Sequence, residues 1–291
     1  MISLTIFTPT FNRAETIVRT YGSLLRQRSF DFEWLIVDDG STDDTEKIVK
    51  QWINEAPFLI RYIKQKNGGK YRAYNNGLRN ANGILFFCVD SDDWLPDNSI
   101  SDILNIKNEI DSSDSIAGCI ALKEFQDKTL IGKYFPSKLH ICSLQDIERL
   151  GLQGERSIIF KTSIAKTFLF PEETNEKFMT EAVVYDRIAV KYDFLIKNIV
   201  LTTCEYQING LSSNPRKLML NNPAGYKLYF SQRIDMAYTM LQRIKYAISY
   251  NAFKYIYGGR NYEYEGCHKE LVHVLNPIGI ILAMLYKRNY Q

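Results

Sequence analysis

The stretch Gly83-Ile-Leu-Phe-Phe-Cys-Val-Asp90-Ser-Asp92-Asp93-Trp94-Leu-Pro96 joins an apolar run to three closely spaced acids. The six apolar residues 84–89 are typical of a strand that is buried on both faces, as strands of parallel sheets are. The acids then fall at the carboxyl end of this strand, which is where open α/β sheets bind their ligands. This stretch therefore predicts an α/β fold with a polar site at the end of the strand.

The spacing of the acids suits a divalent cation. Asp90 and Asp92 are two residues apart, so on a continuing strand they face the same side. Carboxylates this close repel one another unless a cation lies among them, and an all-oxygen ligand set favours Mg²⁺ or Mn²⁺ over zinc. A polar loop that caps the next helix is the alternative, because acids are common at helix starts.

Strands and helices alternate before this stretch. Apolar runs at residues 2–8, 32–37 and 58–63 predict three further strands, and a helical pattern follows each of them. We expect Pro9 to end the first strand, because proline cannot donate a hydrogen bond to a ladder, and Asn12 to cap the helix that follows. The alternation predicts a mainly parallel sheet flanked by helices, with right-handed crossovers.

The signal becomes less regular beyond Pro96. It predicts helices at 99–110 and 180–192, and strands at 115–122, 128–133, 157–161 and 194–202. Residues 209–215 read as a loop, and a long helical pattern rich in Tyr, Lys and Arg then runs from Ala224 to Tyr250. We therefore expect one α/β domain over residues 1–215 and a helical C-terminal extension over residues 216–291.

The hydrophobic content and the net charge of the chain limit the possible classes of function. The chain has 291 residues, of which 45% are hydrophobic and 24% charged, so it can bury a full core. The net charge of +3 is too small to indicate binding to nucleic acid. It is also uneven, because residues 216–291 hold 11 Lys+Arg and 4 Asp+Glu, a net charge of +7, against −4 for residues 1–215. The acidic part can hold a metal, and the basic part can face an anionic partner.

Cysteine usage and the amino terminus predict a cytoplasmic protein. The five cysteines are odd in number and widely scattered, which argues against a disulfide framework or a zinc site. The amino terminus has none of the features of a signal peptide. The apolar residues 277–286 are about half of what spans a bilayer, so we expect them either to pack inside the protein or to lie peripherally on the inner membrane face.

Four polar turns each follow a predicted strand, and we expect them to converge on one crevice. Asp38 or Asp39 can accept hydrogen bonds from a base edge or from ribose hydroxyls. The glycine turn before Lys70 can hold a phosphate, because it places a helix start beside a cation. With a divalent cation at the acids, the turns describe a nucleotide-diphosphate site. The turns are Thr8-Pro9-Thr10, Asp38-Asp39-Gly40, Asn67 to Lys70 and Asp90 to Asp93.

Four motifs in this order and spacing resemble those of family 2 glycosyltransferases with the GT-A fold. They are Thr8-Pro-Thr-Phe-Asn-Arg13, Trp34-Leu-Ile-Val-Asp-Asp-Gly-Ser-Thr-Asp43, Asn67-Gly-Gly-Lys70 with Ala73, Asn75 and Gly77, and Val89-Asp-Ser-Asp-Asp-Trp-Leu-Pro96. The resemblance is close through Pro96 and weaker beyond it. It implies a Rossmann-like GT-A domain and inverting transfer of a sugar from a nucleotide-diphosphate donor, usually with a divalent metal such as Mn²⁺ or Mg²⁺.

The resemblance also implies roles for residues at the first two turns. Pro9 and Asp39 would contact the nucleobase, which we expect to be uracil, and Thr8 belongs to the same nucleotide-binding turn. Asp39 would be the acceptor that discriminates between bases. The alternative for Asp39 is a helix cap, but Ser41 and Thr42 are already available for capping.

At the other two turns the resemblance implies contacts to the diphosphate and the metal. Lys70 would contact the diphosphate of the donor. Asp90 would bind the ribose or support the metal, and Asp92 would be the metal ligand. This leaves Asp93 as the expected cap of the next helix.

A general base is the remaining requirement. Inversion in one step needs a carboxylate that takes the proton of the attacking hydroxyl, and in the family it stands at the start of a helix well after the metal motif. Phe178-Met-Thr-Glu181-Ala182 matches that place, so Glu181 is the predicted base and Asp186 the reserve. The alternative for Glu181 is that it merely complements the helix dipole. Weaker candidates are Glu155, Glu172 and Glu173.

The composition of residues 216–291 indicates what kind of acceptor molecule could receive the sugar. Eleven of the 19 tyrosines lie between Tyr226 and Tyr290, beside the surplus of Lys and Arg. Such residues suit a membrane interface, a sugar-binding face or a packed helical cap. The apolar run that ends in Lys287 and Arg288 resembles an interfacial anchor, which fits a saccharide acceptor carried on a lipid, as in cell-surface polysaccharide synthesis.

Two other functions use similar residues. A sugar-phosphate nucleotidyltransferase would carry a G-x-G-x-R turn after the first strand, and the turn that begins at Thr8 is not of that kind. A catalytically silent carbohydrate- or nucleotide-binding protein on the same fold is the other alternative, and the intact acidic motif argues against it.

Overall fold

Apolar runs form an eight-stranded sheet in the part of the chain that our computed structural model describes, which is residues 2–152, 154–172, 175–205, 214–258 and 263–288. The strands are β1 (Leu4–Thr10), β2 (Phe32–Asp38), β3 (Leu59–Lys64), β4 (Leu85–Cys88), β5 (Ile116–Phe125), β6 (Ile141–Cys142), β7 (Arg156–Lys161) and β8 (Asp193–Cys204). They lie in the order β3-β2-β1-β4-β7-β5-β8-β6 across the sheet.

The sheet is mainly parallel, as predicted. β1 pairs in parallel with β2 and with β4, β2 with β3, and β5 with β8. The exceptions in the described sheet are β7, which is antiparallel to β4 and β5, and β6, which is antiparallel to β8. The sequence did not predict these two directions, because a buried apolar run has the same pattern in either orientation.

Helices flank the sheet and continue beyond it. The first four, α1 to α4, alternate with β1 to β5, which confirms the α/β prediction. The helices are α1 (Ile17–Leu25), α2 (Thr45–Glu55), α3 (Lys70–Asn80), α4 (Ser99–Asp111), α5 (Leu144–Arg149), α6 (Thr162–Ala165), α7 (Ala182–Ala189), α8 (Pro215–Asn221), α9 (Pro223–Met236), α10 (Met240–Ile256), α11 (Lys269–Val274) and α12 (Asn276–Arg288).

The core is centred on β1 and β2, which are buried along their whole length. On one face Tyr21 of α1 stacks on Trp52 of α2, with 4.2 Å between the ring centroids. On the α3 side Gly77 allows close packing, because a Cβ atom there would lie 2.3 Å from Cε2 of Phe7. The packing of the helices on these strands fixes where the strand-end turns lie.

β1 continues through Pro9 to Thr10, so the prediction that Pro9 ends the strand is wrong. The Phe7 carbonyl faces β4 and accepts the Val89 N–H at 2.9 Å, and Pro9, two residues on, faces the same side. The ladder with β4 ends at Phe7, whereas the ladder with β2 runs to Thr10. The missing N–H of Pro9 therefore costs no ladder hydrogen bond.

Asn12 does not cap α1 as predicted. It has a φ of 52°, and its side-chain oxygen accepts the Thr42 N–H at 2.8 Å. Helix α1 begins at Ile17, after Thr16 as its cap residue. The side chain of Asn12 therefore ties the turn after β1 to the turn after β2.

Two later predictions also differ from the structure. Residues 128–133 do not form a strand, because Lys128 adopts a φ of 69° in the turn after β5. The predicted helix from Ala224 to Tyr250 is instead α9 and α10. Thr239 starts α10 with a capping box, in which its side chain accepts the Gln242 N–H. The predicted loop at 209–215 lies outside the described residues as far as Ser213.

The chain divides into two compact units. The first comprises Met1–Leu169 and Val184–Tyr206, and the second comprises Phe170–Val183 and Gln207–Gln291. The sheet belongs to the first unit, and α8 to α12 belong to the second. A domain boundary at residue 215 stays a prediction.

The second unit has its own core and its own internal helix cap. Its core residues include Phe230, Tyr250 and Phe253. The Glu176 carboxylate accepts the Ala224 N–H at 2.7 Å and the Gly225 N–H at 2.9 Å, so it satisfies free amides at the start of α9. Among the residues described, no helix is long and apolar enough to cross a membrane.

Candidate active site

Asp39, at the end of β2, organises the glycine turn that starts α3. Its Oδ1 accepts the Gly68 N–H and the Gln65 amide, each at 2.8 Å, and its Oδ2 accepts the Gly69 N–H at 2.7 Å. Gly69 has a φ of 96°, which favours glycine. The carboxylate predicted to face a nucleobase therefore also holds the phosphate-type turn in place.

The neighbouring Asp38 is a buried anchor. Its Oδ1 accepts the Ser41 N–H at 2.7 Å, and its Oδ2 accepts the Tyr62 hydroxyl. Burial raises the pKa of Tyr62, and the Asp38 carboxylate raises it further, so this phenol stays protonated as the donor. Both acids of this pair therefore accept hydrogen bonds from the protein, and the contact of Asp39 with a nucleobase stays a prediction.

The end of β1 supports the Asp39 turn from the other side. The Thr10 carbonyl accepts the Asp39 N–H at 2.8 Å. Thr8 and Pro9 are buried, and the Thr8 hydroxyl accepts the indole N–H of Trp34 at 2.9 Å. The contribution of Thr8 and Pro9 to nucleotide binding stays a prediction.

Lys70 at the start of α3 and Asp90 after β4 form a close ion pair. The Lys70 Nζ lies 2.7 Å from Oδ1 and 2.8 Å from Oδ2 of Asp90. Burial raises the pKa of Asp90, but Lys70, Lys123 and Arg13 lower it by more, so it lies below its ordinary value. The residues predicted to bind diphosphate and ribose are thus brought together as a pair.

Asp92 is held more loosely than Asp90. The Arg13 Nη2 lies 3.7 Å from its Oδ2, and the Asp92 side chain is 24% exposed. Arg13 was not among the predicted site residues, although it closes the first motif of the chain. Its contact with Asp92 brings the first and fourth polar turns together.

Asp93 is buried and does not cap α4, so that prediction is wrong. The cap residue of α4 is Asn98, whereas Asp93 Oδ2 lies 3.1 Å from the Nζ of Lys123 on β5. Burial raises the pKa of Asp93 to about 7, although Lys123 opposes the shift. Asp93 therefore points into the protein, where it pairs with the buried Lys123, and not toward the start of α4.

Lys123 is the second site residue that the sequence did not predict. Its Nζ also lies 3.9 Å from Oε2 of Glu155. Burial lowers the pKa of Lys123, but Asp93, Asp90 and Glu155 raise it by more, so the ammonium stays charged. The available signal was a lysine directly after the apolar residues 116–122 of a strand buried on both faces.

The donor atoms at the motif suit a hard divalent cation, although they are not gathered around one. Among the residues that the structure describes, no group of three His, Cys, Asp or Glu side chains is placed to hold a metal. Carboxylate oxygens are the ligands that Mg²⁺ and Mn²⁺ prefer. Asp92 has its cation at 3.7 Å, whereas Asp90 and Asp93 have theirs at 2.7 Å and 3.1 Å, so Asp92 is the acid of the motif that can bind a metal with least rearrangement.

The two candidate bases fall in different compact units. Glu181 directly precedes α7 and belongs to the second unit, whereas Asp186 lies within α7, is buried and belongs to the first. The Val183 N–H donates to the Thr180 carbonyl at 3.0 Å, so Glu181 lies in the opening turn, as predicted. Its role as a base stays a prediction. The weaker candidate Glu173 lies outside the described residues.

A mainly parallel sheet whose polar turns after β1, β2, β3 and β4 contact one another defines an α/β protein of the GT-A class. Residues 5–149, about half of the chain, match the sequence model of Glycosyl transferase family 2. The chain belongs to this family, as its four motifs indicate.

Curated relatives are similar to this chain over part of their length. The Staphylococcus aureus poly(ribitol-phosphate) beta-N-acetylglucosaminyltransferase TarP is 34% identical over 122 residues, which is 40% of this chain and 36% of the relative. The Campylobacter jejuni GalNAc(5)-diNAcBac-PP-undecaprenol beta-1,3-glucosyltransferase is 29% identical over 179 residues, which is 60% of this chain and 56% of the relative. The chain thus spans less than two thirds of either relative.

Solved structures share the fold at low sequence identity. S. aureus TarS 1-349 in complex with UDP-GlcNAc superposes with a TM-score of 0.61 at 16% identity, covering 99% of this chain and 91% of that one. The mannosyltransferase PcManGT from Pyrobaculum calidifontis, in complex with GDP-Man and Mn²⁺, gives a TM-score of 0.52 at 17% identity, covering 97% and 73%. These likenesses establish the fold alone.

Proposed function

We propose that this protein is an inverting glycosyltransferase that moves a sugar from a UDP-sugar to a hydroxyl of a saccharide or lipid-linked acceptor in cell-surface polysaccharide synthesis. The observation that carries the proposal is the convergence of the four polar turns. Asp39 holds Gly68 and Gly69, Lys70 contacts Asp90, and Arg13 contacts Asp92. At the carboxyl ends of the strands, these turns bring together an acid that can accept hydrogen bonds from a base, a glycine turn that can hold a phosphate, and acids that can bind a metal.

The nucleotide sugar would be bound by residues of several of these turns. Asp39 accepts hydrogen bonds from the uracil edge, next to the turn of Thr8 and Pro9. Asp90 accepts from the ribose, and Lys70 moves from Asp90 to the diphosphate. TarS in complex with UDP-GlcNAc supports UDP as the carrier, because a related fold holds that nucleotide.

Asp92 would hold a divalent cation, and Mn²⁺ is favoured by the complex of PcManGT with GDP-Man and Mn²⁺. When bound, the cation neutralises charge on the departing diphosphate. The cations of the chain act on the same charge, because Lys70 and Arg13 stand beside Asp90 and Asp92. Stabilisation of the leaving diphosphate would thus be shared between a cation held by Asp92 and the side chains of Lys70 and Arg13.

Transfer inverts the anomeric carbon in one displacement. The acceptor hydroxyl attacks on the side opposite the diphosphate, a new carbon–oxygen bond forms, and the bond to the diphosphate breaks with its electron pair on the nucleotide. The Glu181 carboxylate takes the hydroxyl proton, and Asp186 is the reserve for this role.

The acceptor side of the proposal includes peripheral contact with the inner face of a membrane. Helix α12 buries Gly279 and Ala283 and leaves Ile278, Ile281 and Leu285 exposed. An apolar outer face is the reverse of what a soluble helix shows, and Lys287 and Arg288 follow it. We propose an anionic lipid surface as the partner of this face, because apolar side chains beside cations match it.

Substitution of the metal ligand tests the proposed reaction. We expect Asp92→Asn to lower Mn²⁺-dependent hydrolysis of UDP-sugars, measured without acceptor, by about a hundredfold, because a carboxylate ligand is lost while the fold is kept. The control is Asp97→Asn, which removes an exposed ion pair with Arg26 just beyond the motif. Hydrolysis at the same rate in the Asp92 variant would remove this residue from the metal site.

A further inference from the structure

The acidic motif is matched in charge by cations of the same unit. Lys70 pairs with Asp90, Arg13 with Asp92 and Lys123 with Asp93. Each of the three carboxylates therefore faces a cationic side chain of the chain itself. A divalent cation that approaches Asp92 meets a motif whose negative charge is already balanced.

Lys123 differs from the other two cations in its freedom to move. The side chains of Lys70 and Arg13 are 32% and 36% exposed, so water can take over their contacts when they turn toward another anion. The Lys123 side chain is 16% exposed and lies between Asp93 and Glu155. The positive charge of Lys123 consequently stays beside Asp93 even when Lys70 and Arg13 turn toward another anion.

We propose that Lys123 is a positioning residue that keeps the divalent-cation affinity of the free protein low, so that the cation binds together with the nucleotide diphosphate and not before it. The second half of this inference rests on the proposed function. A fixed positive charge beside Asp93 disfavours a divalent ion at Asp92. A diphosphate adds negative charge and oxygen ligands, and it gives Lys70 and Arg13 another partner.

The first test uses Mn²⁺ alone, without nucleotide, and follows free Mn²⁺ by electron paramagnetic resonance at pH 8. We expect Lys123→Met to bind Mn²⁺ about threefold more tightly than the unchanged protein, because the fixed positive charge is gone, although part of the gain is lost when the buried Asp93 takes up a proton without Lys123 beside it. Lys123→Arg, which keeps the charge, should bind like the unchanged protein. The matched control is Lys197→Met, because Lys197 on β8, another strand of the same unit, forms an exposed ion pair at 2.7 Å with Glu109 of α4.

The second test adds UDP. In the unchanged protein UDP should raise Mn²⁺ affinity about tenfold, and by reciprocity Mn²⁺ should raise UDP affinity equally. In Lys123→Met this coupling should shrink. Lys123→Gln, which can still donate to Asp93, is the second variant if the methionine variant melts early in thermal unfolding.

Three results would overturn the inference. They are equal Mn²⁺ affinity in Lys123→Met and the unchanged protein, the same gain in Lys197→Met, and Mn²⁺ binding that is as tight without UDP as with it. A variant that only melts earlier would show Lys123 to be structural. Failure of the proposed function is distinguishable, because UDP would then not bind at any Mn²⁺ concentration, while the comparison without nucleotide still reports on Lys123.

Discussion

Glu33 on β2 illustrates how single residues of the first unit are stabilised. Its fully buried carboxylate accepts the Thr5 hydroxyl and the Asn82 N–H, each at 2.7 Å, and pairs with Arg61 at 3.0 Å. Burial raises the pKa of Glu33, but these partners lower it by more, so it lies below its ordinary value. A buried charge is tolerated here because each oxygen has a partner.

We expect Glu33→Gln to lower the free energy of unfolding at pH 7 by about 2–4 kcal/mol, because Arg61 loses its counter-charge. The folded-state pKa of Glu33 is depressed, so its contribution is present above the unfolded-state pKa and is lost as pH falls through the folded-state pKa. Urea unfolding between pH 7 and pH 3 should therefore show a flatter pH dependence in the variant. Glu109→Gln, at an exposed pair with Lys197, is the control. Equal curves for both variants would contradict the prediction.

Glu181 is the residue on which the proposed chemistry depends most. We expect Glu181→Gln to lower sugar transfer by about a hundredfold or more with UDP affinity retained, because an amide cannot take the hydroxyl proton. Transfer rates and UDP titrations separate these effects. The control is Glu270→Gln, since Glu270 is also a glutamate in a first helical turn, that of α11. Loss of UDP binding in the Glu181 variant would make this residue structural.

At the scale of elements, two helical glycines have opposite roles. A Cβ atom at Gly77 of α3 would lie 2.3 Å from the Phe7 ring, whereas at Gly22 of α1 the nearest atom would be the Arg26 Nη1 at 3.7 Å. The packing of α3 on β1 therefore requires a residue without a side chain. In α1 the glycine only lowers helix propensity.

We expect Gly77→Ala to destabilise the protein by about 1–3 kcal/mol, because α3 must move away from Phe7. Gly22→Ala should stabilise it by about 0.5–1 kcal/mol through helix propensity. Thermal and urea unfolding of the two variants measure both effects. Destabilisation of equal size in both would show that helix α1 is packed as tightly as α3.

At the scale of the molecule, charge and exposed apolar surface are concentrated in the C-terminal residues. Residues 216–291 carry a net charge of +7, and the outer face of α12 is apolar. Gly279 packs closely on α10, since a Cβ atom added to it would lie 2.3 Å from the Cβ atom of Asn251. The buried side of α12 is thus fixed by close packing, and the side that carries Ile281 is left for a partner.

We expect the protein to co-sediment with vesicles that contain phosphatidylglycerol and much less with pure phosphatidylcholine, because the cations of the segment need an anionic surface. Ile281→Glu should abolish co-sedimentation, since a charge replaces a side chain that is 58% exposed. Val190→Glu, at an exposed valine of the first unit, should leave it unchanged. Dissociation of a dimer by Ile281→Glu, without any vesicle binding, would assign the face to a second copy of the chain.

The sequence by itself determined the α/β class, the existence of four polar strand-end turns and the family. Apolar periodicity and turn chemistry are local properties, so the motifs that contain Asp39, Lys70 and Asp92 could be found without coordinates. The sequence could not predict that β7 runs antiparallel between β4 and β5, because a buried run has no direction.

Only the tertiary structure decided which side chains face the acids. Lys123 lies 30 residues from Asp93 in sequence and on a different strand, so no local pattern links the two. The same holds for Arg13 and Asp92, which are brought together by the parallel pairing of β1 with β4. The cations that balance Asp90, Asp92 and Asp93 come from several elements, so this charge balance exists only after the sheet has formed.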